Sequence, residues 1–278
     1  TSPPRYPPKQ MDIQFAKMNG AGNDFIVIDN RSGEFSLDRE TIERLCDRHR
    51  GIGADGFLAV EPAEGAADFR MRYYNSDGGE AEMCGNGIRV MARYLVARGH
   101  LPEGIFAINT RAGIKHLRVP LEGDISVNMG QVTDEMEEIE VTQNGKTWEG
   151  LNISVGNPHA VVFLENLEEV GSLETTPVVS PQSSYPEGVN VEFVQLLANN
   201  EARMRVHERG SGETRSCGTG TCAVALAATL HTRGKLPSRW TIYPPGGRLI
   251  VDIDGHSNAT LIGPAELIAD HDISKYLA

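Results

Sequence analysis

From Met11 onward, short runs rich in β-branched and aromatic residues recur between turn signals about every ten residues, and only a few longer stretches read as helices. The runs Phe25–Ile28, Phe69–Tyr74, Ile114–Val119, Asp124–Met129 and Ala160–Phe163 predict strands. Val189–Gln195, Met204–Glu208, Trp240–Tyr243 and Leu249–Ile253 do the same further along. Helices are expected at Asp38–Arg48, Gly87–Arg98 and Thr221–Arg233, the last two directly after glycine-rich turns. This mixture reads as an α+β fold.

The sequence also repeats itself. Gly79-Glu80-Ala81-Glu82-Met83-Cys84-Gly85-Asn86-Gly87 and Gly212-Glu213-Thr214-Arg215-Ser216-Cys217-Gly218-Thr219-Gly220 share the pattern G-E-x-x-x-C-G-x-G, 133 positions apart. A second pair, Gly22-Asn23-Asp24-Phe25 and Gly156-Asn157-Pro158-His159 with the apolar runs that follow, keeps nearly the same offset. Two matches in nearly one register imply duplication of one ancestral fold, since the period of a solenoid is far shorter. The expected division is an N-terminal extension at 1–10, a first domain at 11–131 completed by the C-terminal segment 265–278, and a second domain at 132–264.

In C-G-x-G opening a helix, the glycines permit a tight turn, and the unpaired N–H groups at the positive end of the dipole favour an anion such as a carboxylate. The same dipole lowers the pKa of a thiol at the helix start, so some thiolate is expected at neutral pH. A single copy of the motif is equally a strand-to-helix turn with a packed cysteine. Two copies related by a pseudo-twofold axis would instead bring two thiols and two anion cradles to one cleft. One carboxylate held by both helices would place its α-carbon between the thiols. Taking a proton from one face and delivering one to the other inverts a stereocentre.

At 278 residues the chain is long enough for two domains with cores of their own. No apolar run approaches the ~18 residues of a membrane helix. The net charge of −12, with no local Lys/Arg cluster, argues against nucleic-acid binding and favours a small-molecule partner. Cys46, Cys84, Cys217 and Cys222 form no C-x-x-C pair, so neither a zinc ribbon nor a thioredoxin-like motif fits. With no targeting pattern, a reducing cytoplasm with free thiols is the expectation. Cys46 and Cys222 read as helix packing residues. The remaining histidines, His49, His100, His116, His207, His231, His256 and His271, carry no chemical signal.

Beyond the repeat, Gly20 to Phe25, Asn75-Ser76-Asp77-Gly78, Thr110 to Gly113, Gly156 to His159, Pro186 to Val191, Glu208 to Glu213 and Pro245-Gly246-Gly247 together resemble the diaminopimelate epimerase family. The resemblance covers Met11 to Ala265. It implies two pseudo-symmetric domains, each a β-sheet wrapped around a central helix, with substrate between them and no pyridoxal phosphate, metal or nucleotide. It also admits a homodimer. By this resemblance Cys84 and Cys217 are the acid/base pair, and Gly85, Asn86, Gly218 and Thr219 hold the reacting carboxylate. Asn23 is a further substrate contact, while Asn75, Asn157, Asn190, Glu208 and Arg209 read the distant amino-acid end. His159 and Glu208 tune the thiols. The implied reaction converts LL-2,6-diaminopimelate to the meso isomer, in the supply of lysine and peptidoglycan precursors. Two alternatives stay open: a proline racemase-like enzyme of the same architecture, and a non-catalytic thiol redox or binding protein.

Overall fold

The structure, a computed structural model, describes residues 13–63, 65–81 and 83–272. The extension 1–10, Glu82 of the first motif copy, the His271 side chain and the last six residues of the 265–278 segment lie outside it. The first half comprises β1 (Gln14–Gly20), β2 (Asn23–Asp29), α1 (Arg39–Cys46), β3 (Gly56–Pro62), β4 (Phe69–Asn75), β5 (Glu80–Ala81), α2 (Gly85–Ala97), β6 (Gly104–Thr110), β7 (Gly113–Val119) and β8 (Ile125–Gln131). Next come β9 (Thr133–Gln143), β10 (Lys146–Ser154), β11 (Pro158–Phe163), β12 (Val178–Ser180), β13 (Asn190–Leu196), β14 (Glu201–Glu208) and β15 (Gly212–Thr214). The chain continues with α3 (Gly218–His231), β16 (Ser238–Tyr243), β17 (Leu249–Ile253), β18 (Asn258–Gly263) and β19 (Glu266–Asp272).

Strand pairing repeats between the halves. β2 runs parallel to β3 as β11 does to β13, and β4 runs parallel to β6 as β14 does to β16. The helix of each motif makes the second of these crossovers, as a parallel connection requires. Register follows the repeat: Val27 faces Leu58 in the first half, and Val161 faces Glu192 in the second. β8 pairs with β18 and joins the halves, while the last described strand, β19, returns to pair with β1.

Each curved sheet encloses its helix. Of α3, all but Thr219, Leu230 and His231 are buried, and its alanine-rich sequence lets the sheet approach on every side. Helices α2 and α3 share one apolar core in which Val127, Met129 and Leu261 lie at the junction. Helix α1 covers the outer face of β1, β2 and β3 through Ile42 and Leu45, which pack with Phe15, Ile28 and Phe57. In the second half short turns carrying Val170, Leu173 and Tyr185 do the corresponding work.

The glutamate of each motif copy is a brace. Glu80 takes two hydrogen bonds from Arg72, both at 3.0 Å, and Glu213 takes two from Arg205 at 2.7 and 3.0 Å. Each fork ties the short strand before the cysteine to the long strand beside it.

The central helices begin earlier than the sequence suggested, at Gly85 and Gly218, because the cysteines are themselves the N-caps. β1, β3, β5, β6, β9, β10, β12, β15, β18 and β19 were not singled out by pattern. In β9 the outward positions are largely acidic, and only Ile139 and Val141 supply inward apolar side chains. The β9–β10 hairpin turns at Asn144-Gly145, both at positive φ (50° and 78°), the conformation that an Asn-Gly turn favours.

Candidate active site

A cavity of about 1390 Å³ lies between the halves, and the starts of both central helices open into it. Cys84 and Cys217 line it from opposite copies of the motif. Each is extended and caps its helix: Cys84 Sγ accepts from Gly87 N at 3.3 Å, and Cys217 Sγ from Gly220 N at 3.3 Å. The helix starts touch. A Cβ on Gly218 would lie 3.0 Å from the Gly85 Cα, and one on Gly85 would lie 3.2 Å from the Gly218 Cα. Glycine at both positions therefore lets two sets of unpaired helix N–H groups face one space.

Asn23, Asn75, Asn157, Asn190, Glu208 and Arg209 also line the cavity, with Gly85, Gly218 and Thr219. Most are held by their neighbours. Asn23 Oδ1 accepts from Asn86 at 2.9 Å and its Nδ2 donates to Asp55 at 3.1 Å. Asn190 donates to the Pro158 carbonyl at 3.1 Å and accepts from Arg209 N at 3.0 Å. Asn75 accepts from the Tyr73 hydroxyl at 2.7 Å, and Asn157 donates to Thr219 at 3.3 Å. Glu208 accepts from the Thr214 hydroxyl. Among the described residues the Arg209 guanidinium has only a long contact to the Glu187 carbonyl, 3.5 Å, and the Glu187 carboxylate at 4.0 Å.

Two expected site residues are not on the cavity wall. Asn86 is fully buried, and its side chain bridges Asn23, the Ser216 carbonyl and Arg89, so only its backbone N–H is left for a ligand at the helix start. His159 is fully buried behind the wall, 2.7 Å from Glu192 and 3.1 Å from Asn157 Oδ1. It reaches the cavity through Asn157, while Glu192 is fully buried behind the wall with it.

The thiols are not activated in the way the helix start alone predicts. Burial pushes the Cys84 thiol up to about 11, the Glu208 carboxylate adds to this, and the N–H of Gly87 only partly offsets it. Cys217, more deeply buried, is held well above the ordinary thiol range by desolvation first and then by Glu208 and Glu192. Burial outweighs the dipole at both sites. Glu208 is itself raised by burial, against the Thr214 hydrogen bond. Cys46 and Cys222 are free, buried and pushed up to about 12 by desolvation, as inert packing thiols are.

Several supports were missed by sequence reasoning. Asp24 is ion-paired to Lys17 (2.7 Å) and Arg48 (2.7 Å), and Arg48 also reaches Asp55, which in turn holds Asn23. Gly246 sits under the Ala21-Gly22 turn, where a Cβ would meet the Ala21 carbonyl at 2.0 Å, and it donates to the Arg215 carbonyl at 2.8 Å. Fully buried Glu192 had a visible signal, an acid inside the apolar run Val189–Gln195.

Paired thiols at two helix starts, facing one cleft in a duplicated fold, define a class of enzyme able to exchange a proton on either face of an acidic carbon. The fold resembles that of a PhzF-family phenazine biosynthesis protein of Bacillus anthracis, with a TM-score of 0.70 at 16% identity over 94% of this chain and 98% of that one. A hydroxyproline epimerase from Agrobacterium vitis, solved with bound trans-4-hydroxy-L-proline, gives 0.69 at 16% identity over 94% and 92%. The family model described as diaminopimelate epimerase matches residues 15–134 and 151–268, and the chain belongs to that family. It is 41% identical to a diaminopimelate epimerase of Streptomyces coelicolor over 95% of this chain and 96% of that protein. It is 39% identical to one of Thermobifida fusca over 94% and 98%.

Proposed function

We propose that this protein epimerises LL-2,6-diaminopimelate to the meso isomer without pyridoxal phosphate, using Cys84 and Cys217 as the two acid/base groups. The carrying observation is that two cysteines from duplicated motifs cap the two touching helices of one cavity. In this reading the substrate's reacting carboxylate lies across both helix starts, held by backbone N–H groups of Gly85, Asn86, Gly218 and Thr219. Its α-carbon then lies between the sulfurs. One thiolate removes the α-proton from one face, and the opposite thiol gives its proton to the other. The enzyme finishes with the two protonation states exchanged. The substrate ammonium beside the sulfur favours the thiolate that burial otherwise disfavours.

Arg209 forks onto the distant carboxylate, and Glu208 with Asn75, Asn157 and Asn190 takes the distant ammonium. A substrate without a second charged end would leave the desolvated Glu208 without an ammonium, at about 1–3 kcal/mol, and Arg209 without a carboxylate, which weighs against a proline-type substrate. We also read residues 11–131 with the C-terminal strand as one domain and 132–264 as the other, so that closure between them excludes water from the carbanion. An assay with LL- and meso-diaminopimelate, with proline as control, tests this function. Interconversion of the first pair alone supports it, and turnover of proline alone overturns it.

A further inference from the structure

The repeat makes the two thiols equivalent in backbone but not in charge. Beneath Gly87, next to Cys84, an added Cβ would meet, besides Cys84 Cβ itself, only the apolar Leu58 and Phe25, at 3.4 and 3.5 Å, among its three nearest atoms. At the equivalent place beneath Gly220, next to Cys217, it would meet Glu192 Oε1 at 2.5 Å. Phe25 and Leu58 in the first half thus correspond to His159 and Glu192 in the second, as the strand registers require. Glu192 Oε1, the atom hydrogen-bonded to His159 Nδ1, is the one that faces this turn, and Glu192 Oε2 is buried without a partner among the described residues. The imidazole's other nitrogen faces Asn157 Oδ1.

The opposite sign stands behind Cys84. Arg89, one turn into α2, is fully buried and donates to the Gly85 carbonyl at 2.9 Å, to Asn86 Oδ1 at 2.8 Å and to the Pro264 carbonyl at 3.5 Å. Among the described residues none of its hydrogen-bond acceptors is a carboxylate, and the acid that acts on it at longer range, Asp124, is itself paired with Arg248 at 2.7 Å. The equivalent position in α3 is the neutral Cys222. Of the other charged or titratable groups near Cys84, Glu208 comes from β14 and Tyr73 from β4. Glu208 faces Cys217 as well, so it does not distinguish the two thiols, whereas Arg89 and Glu192 do.

We infer that the fold polarises the pair: Arg89 behind Cys84 and the Glu192 carboxylate behind Cys217 make Cys84 the thiol that ionises first and keep Cys217 protonated, with Arg89 and Glu192 as positioning residues that touch no substrate. This deepens the proposed two-thiol reaction and rests on it. It names Cys84 as the base that stands ready in the resting enzyme and Cys217 as the acid opposite. Charge–charge interaction in a desolvated site is large enough to order two otherwise similar groups.

The test is the pH dependence of iodoacetamide alkylation at each cysteine in the substrate-free protein, read peptide by peptide by mass spectrometry between about pH 7 and 12, a thiol whose profile has not levelled by the upper limit being scored above it. The midpoint of each profile, unlike its plateau, is independent of access to the thiol. The midpoint of Cys84 is expected at least about one pH unit below that of Cys217, a tenfold difference in ionisation. Glu192→Gln should lower the Cys217 midpoint by about a unit and leave that of Cys84 nearly in place, while Glu192→Asp, which keeps the charge, should restore most of the gap. Equal midpoints in the native enzyme, or a Cys217 midpoint below that of Cys84, overturn the inference without any variant. So does an unchanged gap in folded Glu192→Gln. Because no substrate is present, these outcomes are separate from failure to turn over diaminopimelate, which would overturn the proposed reaction instead.

Discussion

Gly85 and Gly218 meet backbone to backbone at the starts of the two central helices, each with room for a hydrogen where a methyl group would press within 3.2 Å or less of the other's Cα. Leu261 stands over both, its Cδ2 at 3.1 and 3.2 Å from the two hypothetical Cβ atoms. The pair sets the separation of the two thiols and of the two sets of N–H groups. Gly218→Ala should push the helices apart, with about 1–3 kcal/mol lost to overpacking. A misplacement approaching 1 Å should lower kcat/KM by about 100-fold. Steady-state kinetics beside thermal unfolding checks this, and an unchanged kcat/KM would show that the spacing is not critical.

Arg209 should govern affinity for the far end of the substrate. Arg209→Lys keeps the charge but not the planar fork, so KM should rise by about tenfold or more while the unfolding temperature stays put. The exposed, weakly engaged guanidinium gives no reason to expect a stability change. A KM equal to that of the native enzyme would remove Arg209 from the site.

The two remaining cysteines separate packing from chemistry. Cys222→Ala removes a fully buried sulfur from α3, and Cys46→Ala a buried one from the last position of α1. Each should cost on the order of 1–2 kcal/mol of stability through the small cavity left behind. Neither should change kcat by more than about twofold, in contrast to alanine at Cys84 or Cys217, which should remove activity below about a tenth of native. Denaturant melts and initial rates on the four variants decide it.

Acid stability should report on the loop that holds Asn23. Burial would raise the Asp24 carboxyl, but hydrogen bonds from Arg48 and Lys17 overcome this and hold it far below the usual carboxylate range. A carboxylate depressed in this way contributes stability fully present above its unfolded pKa of about 3.9, and lost as pH falls toward the folded value. Asp24→Asn should therefore be less stable than the native protein at pH 7, and the difference should shrink below about pH 4. A constant difference from pH 7 to 3 would assign the loss to something other than this charge.

How far the chain could be read from its sequence depended on whether the signal was local. The duplicated cysteine motif was legible because a cap residue and the glycines after it are fixed within a few residues, and the structure puts both copies at helix starts in one cavity. Glu80 and Glu213 stood in the same motif, yet their partners Arg72 and Arg205 lie eight residues earlier across a hairpin, so their bracing role needed the fold. Gly246 under the Ala21-Gly22 turn and Arg89 against Pro264 are long-range contacts with no local trace. The thiol pKa values were misjudged for the same reason. The dipole at a helix start can be read from sequence, but desolvation by the opposite half cannot. Asn144-Gly145 was a readable hairpin signal hidden by the acidic face of β9.

The central claim is that separate thiols serve the two faces of the carbon, and hydrogen exchange during turnover in heavy water tests it most directly. If one thiolate removes the α-proton and the opposite thiol, equilibrated with solvent, supplies its own, product from the earliest turnovers carries deuterium almost completely. The remaining substrate stays protiated. The same should hold from either isomer, and the Cys84→Ser and Cys217→Ser variants should bias any residual α-exchange toward opposite isomers. Substantial protium in early product, under conditions where the thiols exchange with solvent faster than turnover, would show one base carrying the hydrogen across and would contradict the two-thiol mechanism.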